Sequence, residues 1–505
     1  MKSAEHRAIG EVATGRASVN VGGAGGEQRL FLGYGDVVAL SGDFFAGARA
    51  GPQDDLFTLA AIPGSEGTQI GTRDEVICAL KVMTVDGAFV DDRFEPGGEF
   101  SHFQFTEKAA ATEVERRVRD RFLVLATANG DHFVAPGGSG AEHSSGFASA
   151  VIAYRRLHEV AIDEACRLGQ CGGDESHAMA REAAAQHYLT DACAAGHLRT
   201  PVSAIRHYWY QRYPQFWPNL QRKVAADTAS ALKELIWPAR CLPDRFLYDR
   251  TLTAVQARTK GYPPITFGDL LARVFHDWDN THGLTVESGG TLFGDGLLER
   301  GVGAKLIVAA VRAGIDDVEV AYRLGKSGSQ LHGEALYQAV RSATGAFGTA
   351  FLPETLVPIP SADNPSQNWC APDIETLWDL PIVGTTGTTV GMAVEQTLRP
   401  GSEVFRRLDG LGPGVFEVPG LRPVPVLRRW VARKAGQAYH DGFIQGLAQN
   451  PKSTTLAIVG AEASRYPDME TYRDIGCLFD PDMSPCRGHR QGDGEDAALA
   501  HPAPQ

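Results

Sequence analysis

The sequence predicts a mainly α-helical protein: a helical domain over residues 1–300, a mixed α/β region over 301–485 and a disordered tail over 486–505. Three observations predict it. Four long segments between residues 108 and 237 repeat their apolar residues at spacings of three and four, the period of a helix with one buried face. Residues 346–428 instead break into short apolar runs punctuated by Pro and Gly, such as "FLPETLVPIP" and "DLPIVGTTGTTVGMAV", the pattern of strands and loops. From Cys486 onward the chain is polar, with too little apolar surface to build a core.

Taken in order, residues 3–14 read as a short amphipathic helix, and "YGDVVALSGDFFAG" follows a glycine-rich loop. A loop-rich insertion spans about 47–100, with one strand-like run at "EVICALKVMTV". The four long helices are "KAAATEVERRVRDRFLVLATANG", "FASAVIAYRRLHEVAIDEACRLG", "ESHAMAREAAAQHYLTDACAAG" and "NLQRKVAADTASALKELIW". More helix is expected over 296–345, and a basic helix over 427–448. At about 100–200 residues per domain, 505 residues make two or three units.

The formal net charge of -13 argues against a nucleic-acid-binding surface, which relies on clustered Lys and Arg. It leaves a phosphate-ester substrate open, because bound metal ions supply positive charge locally. The 8 cysteines are scattered without a Cys-x-x-Cys pair, so neither a thiolate zinc site nor a disulfide scaffold is expected. The N-terminal stretch lacks the apolar core of a signal peptide, and no apolar run is long enough to span a bilayer. The default expectation is a cytoplasmic protein, with signal-independent export left open.

"QHYLTDACAAGH" places His187, Asp191 and His197 within eleven positions. His187 and Asp191 are four apart, so on a helix they share a face. Gly196 and Pro201 end the helix near His197, letting the chain curl that imidazole back toward the other two. Two imidazoles and a carboxylate are a zinc ligand set. Further candidates sit in structured contexts: His6, Asp43 at the end of "VVALSGDFF", His132 in "TANGDHFVAP", and His276, Asp277, Asp279, Asn280 and His282 in "RVFHDWDNTHGL". Each of these taken singly is better read as a helix-surface histidine, a capping aspartate or a core-packed histidine.

In order along the chain, these residues resemble the zinc-dependent bacterial phospholipase C and single-strand nuclease superfamily, nearest its phospholipase C branch. The resemblance covers roughly residues 3–300 and is concentrated in 187–201 and 276–284. It implies an all-helical catalytic domain holding two or three zinc ions, with His6, Asp43, His132, His187, Asp191, His197 and His276 as ligands and Asp43 also orienting the attacking water. The superfamily's last ligand is a carboxylate four residues after the final histidine; here that position is Asn280, and Asp279 is the expected substitute, with Asp277 or His282 as alternatives. His132 is preferred over His102, which also precedes a Phe. His158 is expected at a helix surface or pocket edge, outside the ligand set.

Clustered zinc suits phosphoester hydrolysis, because it lowers the pKa of bound water to about 7 and neutralises phosphate charge. No "GxSxG" elbow competes, and "GGAGG" lacks the lysine of a phosphate-binding loop. The expected activity is therefore phospholipase C, releasing diacylglycerol and a phosphorylated head group, with a phospholipid partner and transient contact with a membrane surface. A single-strand nuclease or other phosphoesterase, and a degenerate metal-stabilised binding protein, are the alternatives. The aromatic segment "RHYWYQRYPQFWP" is read as core packing before either base stacking or lipid contact.

Overall fold

A computed structural model describes residues 3–15, 17–21, 31–45, 76, 79–80, 125, 129–134, 149–259, 264–344, 356–361, 369–382, 387–399 and 425–459. The chain is mainly helical over these residues, as its periodicity predicts. Helix α1 (Ser3–Thr14) leads to a short antiparallel pair, β1 (Ser18–Asn20) and β2 (Phe31–Gly33), in which Val19 faces Leu32. Helix α2 (Tyr34–Leu40) crosses α1 closely: a Cβ on Gly10 would run into the Gly35 backbone, so bare backbone is what lets the two helices touch.

The centre of the fold is built by α3 (Ala150–Cys171) and α4 (Glu175–Asp191). Ser149 caps the start of α3, and Gly172, at φ 68°, closes it in the left-handed conformation that glycine adopts without strain. Asp174 caps α4. The apolar stripe of α3, with Ala153, Tyr154, Leu157, Ala161 and Ile162, packs against small residues of α4 and against α11 (Gly303–Lys326). Between them come α5 (Ala195–Leu198), α6 (Val202–Arg212), α7 (Phe216–Leu235), α8 (Trp237–Arg240), α9 (Asp244–Thr259) and α10 (Phe267–His282). Helix α10 begins with a full capping box between Thr266 and Asp269 and ends at Gly283, where the hairpin of β3 (Leu284–Thr285) and β4 (Thr291–Leu292) follows.

A second core gathers α6, α7, α9 and α10 around Trp209, which is fully buried and stacks edge-on against Phe267. Burying a side chain of that size contributes about 2–3 kcal/mol. Trp209 and Phe216 therefore make the aromatic segment at 206–218 core, although Tyr210 stays half exposed.

After α12 (Gly333–Thr344), the C-terminal part differs from the strand-and-loop pattern read from its sequence. Its described elements are helices: α13 (Ile374–Asp379), α14 (Val390–Leu398), α15 (Pro425–Tyr439), a π-helical turn at His440–Ile444, α16 (Gln445–Gln449) and α17 (Pro451–Val459). Strand-like pairing there is limited, among the described residues, to single bridges such as Pro381 with Thr389. Short apolar runs between prolines satisfy a one-turn helix as well as a strand when a neighbouring core takes the face, and Ile374, Leu377 and Val390 insert into the Trp209 core. Likewise Val76, Ala79 and Leu80, within the strand-like run, are helical. The expected boundary at residue 300 falls just ahead of α11, which packs along α3 and α4, and the described residues all belong to one contact unit, Met1–Val459. His102 and the expected tail at 486–505 lie outside the described residues, as does most of the insertion at 47–100. No helix of the described residues is long and apolar enough to cross a membrane.

Candidate metal centre

Helix α4 is buried on nearly every side over its last turns, so His187, Thr190 and Asp191 enter the core without solvent. His187 Nδ1 donates to the Val38 carbonyl at 2.9 Å, which fixes the tautomer and leaves Nε2 with its lone pair. That lone pair faces Asp191 Oδ2 at 3.4 Å and His132 Nδ1 at 3.2 Å. His6, from α1, is set the same way. Its Nδ1 lies 2.6 Å from Thr190 Oγ1, and that hydroxyl donates back to α4 carbonyls, so His6 Nδ1 carries the proton. His6 Nε2 is buried without a hydrogen bond and faces Asp191 Oδ1 at 3.4 Å. The His6 and His187 rings stack with centroids 4.3 Å apart.

Asp43 arrives on the turn after α2, where Gly42 takes φ 79° and a Cβ would strike the His187 ring. Ser3 Oγ donates to Asp43 Oδ2 at 3.3 Å. His132, in a 3₁₀ turn at Asn129–His132, hydrogen-bonds Asp191 Oδ2 through Nδ1 at 2.6 Å. Of three groups of side chains among the described residues that are close enough to hold a metal ion, two lie here: His6, His187 and Asp191, and Asp43, His132 and His187. Five of the sequence-predicted ligands, from four separate stretches of chain, converge here.

His197 joins the edge of the cluster. Helix α4 ends at Asp191, and the short α5 swings His197 back until its Nδ1 is 3.5 Å from Asp191 Oδ1. Nδ1 donates to the His132 carbonyl at 2.8 Å, and the ring stacks flat on Phe133. His197 belongs to neither ligand group.

The far end of the expected ligand set is different. Asp279 is a correction: its carboxylate is clasped by Arg199 at 2.8 and 2.5 Å, so a guanidinium already neutralises it and holds it away from a metal. Asn280 Oδ1 accepts from the Gly196 amide at 2.7 Å, which orients its Nδ2 toward His276 Nε2 at 3.1 Å. His276 instead groups with Asp277 and Asp295. His282 is exposed and stacks on Trp278. His158 is also corrected: it is wholly buried, 2.6 Å from Glu182 and 3.5 Å from Asp317.

The electrostatics prepare the cluster for a cation. Burial, reinforced by His6, holds His187 well below the usual histidine range, and burial likewise lowers His197, so both are neutral. Burial alone would raise Asp191, but the surrounding imidazoles, with the hydrogen bond from His132, hold it well below the usual carboxylate range. Burial opposes charge on His132 too, yet the bond to Asp191 pushes it up to about 9. Neutral His187 and ionised Asp191 are in the protonation states a metal requires, and His132 would have to give up its proton to join them. The donor set therefore fits a divalent ion.

Sequence reading missed Asp295, Thr190 and the Val38 carbonyl. Thr190 sits inside the His-Tyr-Leu-x-Asp stretch, but nothing in that spacing says that its hydroxyl would set the tautomer of a histidine 184 residues away. What this geometry defines is a helical protein with buried His/Asp groups able to hold divalent metal. No protein-family model, curated protein or solved structure matches the chain.

Proposed function

We propose that this chain is a zinc-dependent phosphodiester hydrolase of the phospholipase C type, cleaving a phospholipid into diacylglycerol and a phosphorylated head group. One observation carries the metal part: two buried imidazole lone pairs, on His6 Nε2 and His187 Nε2, each face an oxygen of Asp191 at 3.4 Å. Lone pair against carboxylate repels unless a cation lies between, and burial makes that repulsion costly. Nitrogen-rich ligation favours zinc over the oxygen-seeking calcium and magnesium.

When bound, zinc supplies Lewis acidity and lowers the pKa of water to about 7. His6, His187, Asp191, Asp43 and His132 would hold it. Exposure rises from 0% at His6 and His187 to 5–6% at His132, His197 and His276, and Asp43 is only half buried. Substrate therefore enters from the Asp43 side, where that carboxylate accepts the proton of an incoming water and orients it. Phe133, stacked flat on His197, shields that ring from bulk solvent. The lipid reading rests on the resemblance to the phospholipase C branch and on the net charge of -13, which disfavours nucleic acid. It implies transient contact with a membrane surface.

The test is turnover of phosphatidylcholine vesicles and of single-stranded DNA by zinc-loaded protein, with and without chelator. Lipid cleavage abolished by chelator is expected. DNA cleavage alone would make the chain a nuclease, and bound zinc with neither activity would make it a metal-stabilised binding protein.

A further inference from the structure

At His276 both ring nitrogens are engaged by uncharged or acidic protein groups. On one side, the Asn280 amide donates to Nε2 at 3.1 Å. The orientation of that amide is fixed, because Asn280 Oδ1 accepts from the Gly196 N–H at 2.7 Å. There is no room for it to relax: a Cβ on either Gly196 or Gly294 would collide with the Asn280 side chain. On the other side, His276 Nδ1 donates to Asp277 Oδ1 at 2.8 Å and lies 3.8 Å from Asp295 Oδ2. Those two carboxylates have a resident cation, since Arg273 Nε is 2.7 Å from Asp277 Oδ1 and its terminal nitrogen 3.8 Å from Asp295 Oδ2. The remaining carboxylate nearby, Asp279, is bound by Arg199. His197 lies next to His276, ring centroids 4.9 Å apart, while the carboxylates beside His276 are each within reach of an arginine.

Asp191 is placed differently. Its Oδ1 faces His6 and His197, and its Oδ2 faces His132 and His187. A carboxylate with separate imidazoles on its two oxygens is arranged to bridge two ions. His187 has a single lone pair to give and serves one of them.

We propose that the centre is binuclear, with both ions on Asp191, and that Asn280 keeps the His197–His276 side closed to a third. This rests on the reading that the His/Asp groups hold metal. An uncharged amide at position 280 contributes a proton donor toward His276 Nε2 where a metal needs an electron pair. Exchanging it for a carboxylate of the same shape keeps an oxygen for the Gly196 amide and turns the donor into an acceptor.

The experiment measures zinc per chain by mass spectrometry after loading the full chain with zinc and removing the excess. The wild type is expected to hold about two ions, His276→Gln to keep the same content, and Asn280→Asp to rise to about three. A wild type holding three ions or one, or loss of an ion in His276→Gln, overturns the binuclear assignment. An Asn280→Asp protein that stays at two overturns the role given to Asn280. A wild type that holds none overturns the metal reading itself, which separates that failure from failure of the ion count. The wild-type measurement decides the count even if neither variant folds.

Discussion

His6 Nε2 and Asp191 Oδ1 face each other across 3.4 Å of fully buried space, with no hydrogen bond to the imidazole nitrogen. Residues 185 positions apart along the chain are brought to this distance by the packing of α1 beside α4, and the contact is favourable only with a cation between them. The metal-free protein is consequently less stable than the loaded one. Zinc at 1,000 times its dissociation constant should add about 4 kcal/mol, read as a rise in melting temperature that chelator reverses. Asp191→Ala and His187→Ala should each lose zinc affinity by more than about 100-fold and lose that rise with it.

Zinc binding should release protons. In the metal-free chain the hydrogen bond to Asp191 holds His132 protonated up to about pH 9, so a metal must displace that proton. Apparent affinity should fall about tenfold per pH unit below 9. Calorimetry in two buffers of different ionisation enthalpy measures the released proton directly. The same shift, upward from 6.5 to about 9, stabilises the metal-free fold fully below pH 6.5 and is lost as pH rises through 9.

The His158 network is predicted to matter for stability and not for metal. Burial opposes its charge, but Glu182 and Asp317 push His158 up to about 10. Because the folded value lies above the unfolded one, the stabilisation is complete below pH 6.5 and disappears as pH climbs toward 10. His158→Ala leaves two buried carboxylates without their cation and should cost about 3–5 kcal/mol. Urea unfolding at pH 6 checks this, with zinc content unchanged.

Arg199→Ala should destabilise by a similar margin of about 3–5 kcal/mol, because it strands the buried Asp279. Asp279→Asn should keep the full zinc content. Metal analysis of that variant discriminates a salt-bridge partner from a ligand.

The helical class was legible because a buried helical face repeats every three to four residues, as it does in α1, α3 and α7, whereas α4 is buried nearly all round over its last turns. The cluster was legible for another reason: His187 and Asp191 share a helix face by spacing, and the order of His6, Asp43 and His132 could be matched to them. What spacing does not encode is which side chain a neighbour claims first. Asp279 and Asn280 are adjacent, and only the folded chain shows Arg199 on one and Gly196 with His276 on the other. His158 looked like a surface residue because its two acidic partners come from helices 24 and 159 positions further on. The short apolar runs after residue 346 carried no periodicity long enough to separate a turn of helix from a strand.

The most direct test of the centre is anomalous diffraction at the zinc edge from crystals of the zinc-loaded protein. Zinc peaks about 2.0–2.2 Å from His6 Nε2, His187 Nε2 and the Asp191 oxygens are predicted. Density confined to other residues, with those three side chains still facing one another across an empty core, would contradict it.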